Sequence, residues 1–138
     1  EHAEVFGELY GTDRESLSKA LNSGIDVILE IDWQGATQIL KKCSSACSIF
    51  ILPPSRQILK QRLINRQQDN KNIINQRMLD SKLTLSKAYM FDYWIVNDEF
   101  EDALNKLIDI FKSNRNSRSR ILKKDPSLIE RLQEDQSV

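Results

Sequence analysis

Three short apolar runs, separated by helix-length segments, constrain the fold of this chain more than any other feature of its sequence. The runs cover residues 26–31, 48–52 and 92–96, and Ile, Leu, Val and aromatic side chains dominate them. Their apolar residues are nearly continuous rather than alternating, which is typical of strands covered on both faces. The intervening segments are long enough for crossover helices. The sequence therefore predicts an α/β fold built on a parallel sheet.

The helical segments have recognisable beginnings and ends. Thr12 and Asp13 precede an apolar series that stops at Asn22, Ser23 and Gly24, as expected of a capped helix. Further apolar stripes at helical spacing occupy residues 35–42, 58–63, 73–78 and 101–111, and these stripes are predicted to be core. Residues 112–124 are rich in Lys, Arg, Ser and Asn, which predicts a solvated basic face. The alternative is an arm that contacts an anion or a second subunit.

Charge and composition exclude several classes of protein. The 20 basic and 20 acidic side chains balance to a net charge of +0, so the chain is no general polyanion binder and we expect no nucleic-acid partner. No apolar stretch is long enough to span a membrane. His2 is the single histidine and no Gly-x-Ser-x-Gly occurs, which excludes histidine-based acyl transfer. Any chemistry is expected to depend on carboxylates and arginines.

The cysteines and the start of the chain bear on its location. Cys43 and Cys47 have no second pair and only one histidine to accompany them, which predicts free thiols in a reducing cytosol rather than a zinc or redox site. The chain begins at Glu1 with no basic-then-apolar leader. We therefore expect a cytoplasmic protein without a signal peptide, of which this sequence is a fragment.

Two glycines near the start form the first cluster that could carry chemistry. Gly7 and Gly11 flank Tyr10, and Thr12 follows. Tight backbone turns and two hydroxyl groups could bind a ligand oxygen or a phosphate. A hairpin between two strands has the same composition, and from these residues alone the hairpin is the favoured interpretation.

Two carboxylates at the end of the first predicted strand form the second cluster. Glu30 and Asp32 are separated by one residue, so on a strand they lie on the same side. Open parallel sheets bind ligands at this end of their strands, and such a pair could hold Mg²⁺ through water or accept hydrogen bonds from amino groups. The alternative is that Asp32 caps the next helix, which leaves Glu30 unexplained.

An arginine series forms the third cluster. Arg62 and Arg66 are four residues apart in a predicted helix, and Arg77 follows a polar, glycine-free segment. Guanidinium groups match phosphate oxygens, and mobile arginines can stabilise the charge on a transferring phosphoryl group. Taken in isolation, however, such a series is more often a solvated helix face.

Taken together and in order, four segments resemble the guanylate kinase family, whose members transfer a phosphoryl group from ATP to GMP. Residues 1–12 are similar to the end of the family's GMP-binding region, 30–35 to its Asp-Ile-Asp-x-Gln-Gly, 49–55 to its Ile-Phe-Ile-x-Pro-Pro-Ser, and 95–98 to its Ile-Val-Asn-Asp. The resemblance implies a parallel-sheet P-loop nucleoside monophosphate kinase fold. It divides the chain into the end of the GMP region at 1–12, a core at 13–60 and 78–138, and a lid at about 61–77.

The same resemblance implies roles for individual residues. For GMP it implies Glu1 at guanine N1 and N2, Thr12 at guanine O6, Tyr10 at the phosphate, and Asp32 near the site. For catalysis it implies Arg62, Arg66 and Arg77 around the transferring phosphoryl group. For ATP it implies Glu30 near the phosphates and Mg²⁺, and Asn97 beside the purine. Mg²⁺ would accompany ATP without a direct protein ligand, and a homo-oligomer is left open.

The chain departs from the family pattern at three places. Glu30 stands where the family has aspartate, and Asn65, Arg66 and Gln67 replace a Gly-Arg-Gly, so the lid hinge is expected to be stiffer. None of the four glycines is followed by lysine, so no Gly-x-x-x-x-Gly-Lys-Ser/Thr occurs. The resemblance then implies that this loop and the first strand lie upstream, that the fold is N-terminally truncated, and that the chain alone is inactive.

Two other interpretations stay open. One is a non-catalytic guanylate-kinase-like binding module, in which the GMP site holds an acidic or phosphorylated peptide. Such a module has no need of the lid arginines or of Asn97, so their presence favours the enzyme. The other is a structural α/β domain without ligand.

Overall fold

Short strands and longer helices make up the regular structure of this chain. The computed structural model describes residues 2–5, 8–11, 13–65 and 71–134. The strands are β1 (His2–Val5), β2 (Glu8–Gly11), β3 (Ile49–Leu52) and β4 (Tyr93–Val96). The helices are α1 (Arg14–Asn22), α2 (Trp33–Lys42), α3 (Arg56–Asn65), α4 (Lys71–Ser86), α5 (Phe100–Arg115), α6 (Arg118–Lys124) and α7 (Leu128–Glu134), with a 3₁₀ turn at Ala88–Met90.

The chain divides into two units. The first unit consists of Glu1–Phe50 and Gln67–Tyr93, and the second consists of Ile51–Arg66 and Trp94–Val138. In the first unit the buried apolar residues are Ala36, Ile74 and Ala88. In the second unit they are Ala103 and Ile95, and Ile95 is only 1% exposed.

The glycine-flanked segment near the start forms an antiparallel strand pair. β1 pairs with β2 in a register that runs from His2 opposite Gly11 to Val5 opposite Glu8. This is the pairing of a hairpin, so the favoured interpretation of this segment is confirmed. Residues 6 and 7, between the two strands, lie outside the described residues.

Helix α1 begins and ends where its sequence predicts. The Ser16 backbone N–H donates to Asp13 Oδ2 at 2.8 Å, so Asp13 is the N-cap. Gly24 has φ +76°, a left-handed conformation that glycine adopts without steric cost, just after the helix ends. Both signals are local, which is why the sequence sufficed to find them.

Strands β3 and β4 form the parallel part of the fold. Tyr93 N donates to Ser48 O at 3.1 Å, and Asn97 N donates to Leu52 O at 2.8 Å. Donors and acceptors advance along the chain in the same direction, so the two strands are parallel. The predicted α/β class with a parallel sheet is confirmed, and two of the three predicted strands form.

The first predicted strand does not form within the described part of the chain. Residues 26–31 have no regular secondary structure and join neither described sheet. Ile25 and Ile28 are 58% and 63% exposed, respectively. A strand needs a neighbouring strand to pair its backbone groups, whatever its own composition. The prediction of a strand at residues 26–31 is therefore wrong for the described part of the chain.

The apolar stripes of the helices are core only in part. Leu21 on α1 and Ile108 on α5 are exposed, although both belong to predicted core stripes. The basic segment agrees better with expectation. All six of its Lys and Arg side chains, on the end of α5 and on α6, are exposed, as a solvated face requires. Its alternative as a contacting arm stays a prediction.

Ser48 and Asp92 bind each other reciprocally where β3 and β4 begin. Asp92 Oδ2 accepts from Ser48 N at 2.9 Å and from Ser48 Oγ at 2.6 Å, while Asp92 N donates to Ser48 Oγ at 3.0 Å. Ser48 is buried. The backbone N–H and the hydroxyl group of Ser48 therefore both donate to the same carboxylate.

Replacing Asp92 with alanine is expected to lower the free energy of unfolding by about 3 kcal/mol, because two donors of a buried serine lose their acceptor. Urea unfolding measures the change. Asp109→Ala is the matched control, since Asp109 is exposed on α5 and its carboxylate has no hydrogen bond to any described residue. Equal losses in the two variants would contradict the structural role of this pair.

Asp125 and Arg131 form a bidentate ion pair in the second unit. Arg131 Nη1 donates to Asp125 Oδ1 at 2.8 Å and Nη2 to Oδ2 at 2.5 Å. These hydrogen bonds lower the pKa of Asp125 below its usual value of 3.8. The pair therefore contributes to stability above pH 3.8 and loses that contribution as the pH falls through the lowered pKa. The contribution is modest because Arg131 is exposed and Asp125 is only partly buried.

An NMR titration is expected to show the Asp125 carboxyl protonating below pH 3.8. Arg131→Gln should return its midpoint toward the usual value, because the guanidinium is removed. Glu130→Gln is the control, since it changes a neighbouring charge on α7 and keeps the pair. An unchanged midpoint in Arg131→Gln would contradict this account.

Candidate functional site

Asp32 caps helix α2 and holds a fixed position in the first unit. Its Oδ1 accepts from Gln34 N at 3.1 Å and from Gly35 N at 2.9 Å. Its Oδ2 accepts from the Gln34 side-chain Nε2 at 3.1 Å. The capping role that the sequence offered as an alternative is therefore present. The three hydrogen bonds also immobilise a carboxylate at a helix N-terminus, where the backbone dipoles stabilise negative charge.

Glu30 differs from Asp32 in its surroundings. It lies in the irregular segment that precedes α2, and its side chain is exposed. Among the residues that the structure describes, no hydrogen bond or ion pair involves its carboxylate. Glu30 is thus a solvated anion that can accept hydrogen bonds from water or from a ligand.

Arg77 lies near the middle of α4, in the same unit as Glu30 and Asp32, and its side chain is half-buried. Arginines are rarely buried without a partner, because removing the guanidinium from water is costly. Taken in isolation, the arginine series was predicted to be a solvated helix face. Arg77 does not fit that prediction fully, because its side chain is partly buried.

Arg62 and Asn97 come together in the second unit. Arg62 Nη1 donates to the Asn97 backbone O at 2.8 Å, and Nη2 donates to the Asp98 backbone O at 3.3 Å. Asn97 is half-buried, and its carboxamide makes no hydrogen bond with any residue in the described ranges. The arrangement brings the cation of α3 to the backbone at the end of β4.

Three of the predicted site residues lie outside the described part of the chain. They are Glu1, Thr12 and Arg66, and residues 66–70 of the predicted lid lie outside it as well. The backbone of Tyr10 belongs to β2.

The sequence missed three partners of these residues. They are the Gln34 side chain on Asp32, the Asp98 carbonyl on Arg62, and the Leu52 carbonyl on Asn97 N. Gln34 could have been inferred, because a polar side chain two residues after an N-cap can reach it. The other two have no local signal, since Arg62 and Asp98 are 36 positions apart and Leu52 and Asn97 are 45 positions apart.

Other features of the described residues bear on cofactors and location. Cys43 and Cys47 are half-buried, as predicted, and they form no disulfide. Within the described ranges, no three His, Cys, Asp or Glu side chains gather as a metal-ion cluster. None of the helices in the described part of the chain is both long and apolar enough to cross a membrane.

Comparison with known proteins identifies relatives for almost the whole chain. The family model described as guanylate kinase matches residues 1–114. The guanylate kinase of Salmonella paratyphi A is 47% identical over 135 residues, which is 98% of this chain and 65% of that protein. The guanylate kinase of Escherichia coli K12 has the same identity and coverage. The chain thus spans 65% of the length of the curated relatives that it matches.

A solved structure agrees with these relatives. The crystal structure of guanylate kinase from Anaplasma phagocytophilum superposes with a TM-score of 0.74 at 31% sequence identity. The match covers 87% of this chain and 57% of that one. The similarity therefore extends from the sequence to the fold.

Proposed function

The chain belongs to the guanylate kinase family, and on that premise we propose that the protein phosphorylates GMP with the γ-phosphoryl group of ATP, giving ADP and GDP in purine nucleotide metabolism. The observation that carries the proposal is 47% identity to guanylate kinases over 98% of the chain. The matching family model spans residues 1–114, a range that includes every candidate site residue. A reaction of this kind needs positioning and charge neutralisation rather than a covalent nucleophile, and the chain offers carboxylates, arginines and an amide.

For GMP, the proposed contacts are Glu1, Tyr10, Thr12 and Asp32. Asp32 has the clearest structural support, because three hydrogen bonds hold its carboxylate still. A fixed acceptor loses no side-chain entropy when a ligand binds, so it favours one orientation of the bound nucleotide. The other three contacts rest on the resemblance alone.

For phosphoryl transfer, we propose Arg66 and Arg77 as the cations around the transferring group. Positive charge at this place stabilises the negative charge that spreads over the phosphoryl oxygens in the transition state. The half-buried position of Arg77 supports a role beyond solubility. For Arg62, its hydrogen bonds to backbone carbonyls favour a different role.

The described residues are compatible with Mg²⁺ that arrives with ATP. Such a cation would be held mainly by phosphates and water, as Mg²⁺ usually is in sites of this kind. The exposed Glu30 carboxylate could accept hydrogen bonds from such waters. When bound, Mg²⁺ would neutralise charge on the phosphates.

We also propose a cytoplasmic location, because two cysteines that form no disulfide suit a reducing compartment. A further part of the proposal is that these 138 residues alone do not turn over, since they contain no Gly-Lys phosphate loop.

The test of the proposed function is GMP-dependent release of ADP by the protein purified at the length its own cells make. Release with GMP and little with AMP or UMP at equal concentration is the expected result. Binding of an acidic or phosphorylated peptide without binding of GMP would instead make the protein a guanylate-kinase-like binding module. Binding of neither would leave a structural domain.

A further inference from the structure

Asn97 is held by its backbone on both sides. Its N–H donates to the carbonyl of Leu52 at the end of β3 at 2.8 Å, and its own carbonyl accepts from Arg62 Nη1, also at 2.8 Å. The next carbonyl, that of Asp98, accepts from Arg62 Nη2 at 3.3 Å. One planar guanidinium thus bridges two consecutive carbonyl groups, which the single ammonium of a lysine matches poorly.

These hydrogen bonds constrain the backbone from which the Asn97 side chain extends. Hydrogen bonds from a charged donor are stronger than neutral ones, and two from the same fork also fix the plane of the turn. With its N–H and carbonyl both bound, Asn97 retains little freedom except in its side-chain torsions. Its half-buried carboxamide makes no hydrogen bond with any described residue, so both its donor and its acceptor stay available.

The same contacts argue against Arg62 as a ligand of the phosphoryl group. Two of its N–H groups donate to carbonyl oxygens and hold the guanidinium at the end of β4, so moving it to a phosphate elsewhere would break these bonds. Carbonyl groups do not neutralise its charge, and no described carboxylate forms an ion pair with Arg62. Its contribution to the site therefore passes through the turn that it holds.

We propose that Arg62 is a positioning residue, which fixes the Asn97–Asp98 turn so that the Asn97 carboxamide meets the purine of the bound nucleoside triphosphate. This inference rests on the proposed function, because the resemblance is what assigns Asn97 to the ATP purine. It revises the expectation that Arg62 acts directly on the transferring phosphoryl group.

The first experiment needs no activity. Amide hydrogen exchange of the nucleotide-free natural protein is compared for wild type, Arg62→Gln and the control Lys60→Gln, which removes the same charge from an exposed position on α3. Residues 96–99 should exchange about five- to tenfold faster in Arg62→Gln, as expected for the loss of one or two hydrogen bonds, and at the wild-type rate in the control. Equal rates in all three proteins would overturn the proposal. If Arg62→Gln does not fold, Arg62→Lys, which keeps the charge and loses the fork, gives the same comparison.

The second experiment separates KM from kcat. Arg62→Gln should raise KM for ATP about tenfold and leave kcat within about threefold, because binding rather than chemistry is affected. Asn97→Ala should do the same, and the double variant should add little, since both act on one contact. Preference for ATP over GTP as the phosphoryl donor should fall in both variants. A fall in kcat of about 10³ with unchanged KM for ATP would place Arg62 on the phosphoryl group and overturn the proposal.

The two experiments distinguish the failure of this inference from the failure of the proposed function. A natural protein that releases no ADP with GMP refutes the proposed function, while hydrogen exchange still decides whether Arg62 holds the turn. Faster exchange with an unchanged KM for ATP would refute the link to the purine in an enzyme whose function stands.

Discussion

A polypeptide made of these 138 residues alone is expected to release ADP from ATP and GMP at less than about one thousandth of the rate of the natural protein, because it lacks a Gly-x-x-x-x-Gly-Lys-Ser/Thr loop. In such a loop, backbone N–H groups cradle the phosphates and the lysine reaches the β- and γ-phosphates. Both stabilise charge that develops during transfer. A coupled assay for ADP with GMP as acceptor measures the rate.

The comparison requires a folded polypeptide, since an unfolded one would be inactive for another reason. Far-UV circular dichroism and a cooperative urea transition establish the fold before the assay. The natural protein, assayed at the same concentration, is the positive control. Turnover within about tenfold of that control would show that the described residues suffice for catalysis, and the proposed need for the loop would be wrong.

Arg77→Gln in the natural protein is expected to lower kcat about 10³-fold while KM for GMP changes little. Removing an arginine that stabilises a transferring phosphoryl group has effects of this size, because the charge is needed mainly in the transition state. Steady-state kinetics with ATP and GMP varied separately test both parts of the expectation. The half-buried position of Arg77 on α4 makes a purely electrostatic surface role a poor alternative.

Two further variants serve as controls for Arg77→Gln. Lys82→Gln removes one positive charge from an exposed position on the same helix and should leave kcat unchanged. Arg77→Lys keeps the charge and should recover part of the activity, whereas a packing role would not distinguish charge in this way. If Arg77→Gln keeps kcat within about threefold of wild type, Arg77 does not act on the phosphoryl group.

The elements that the sequence predicted well are those determined by neighbours in the chain. The limits of α1 follow from Asp13, which caps the first turn, and from Gly24, which adopts a left-handed conformation. The capping role of Asp32 could also be predicted from the sequence, because a carboxylate immediately before a helix can accept hydrogen bonds from the first backbone N–H groups. In each case the interacting atoms are at most a few residues apart.

The run at residues 26–31 shows the opposite case. Its composition is as strand-like as that of β3, yet it has no regular structure and Ile28 is exposed. β3 forms because β4 supplies backbone partners, such as Asn97 N for Leu52 O. Composition reports that a segment favours burial, and only a neighbouring strand makes it part of a sheet.

By itself, then, the sequence determined the limits of α1, the α/β class and membership of the guanylate kinase family, because each rests on local periodicity, capping or residue identity. Only the tertiary structure decided that Ser48 binds Asp92 and that Arg62 binds the carbonyls of Asn97 and Asp98. These contacts join residues 35 or more positions apart. Their geometry depends on how strands and helices pack, which no local pattern in the chain records.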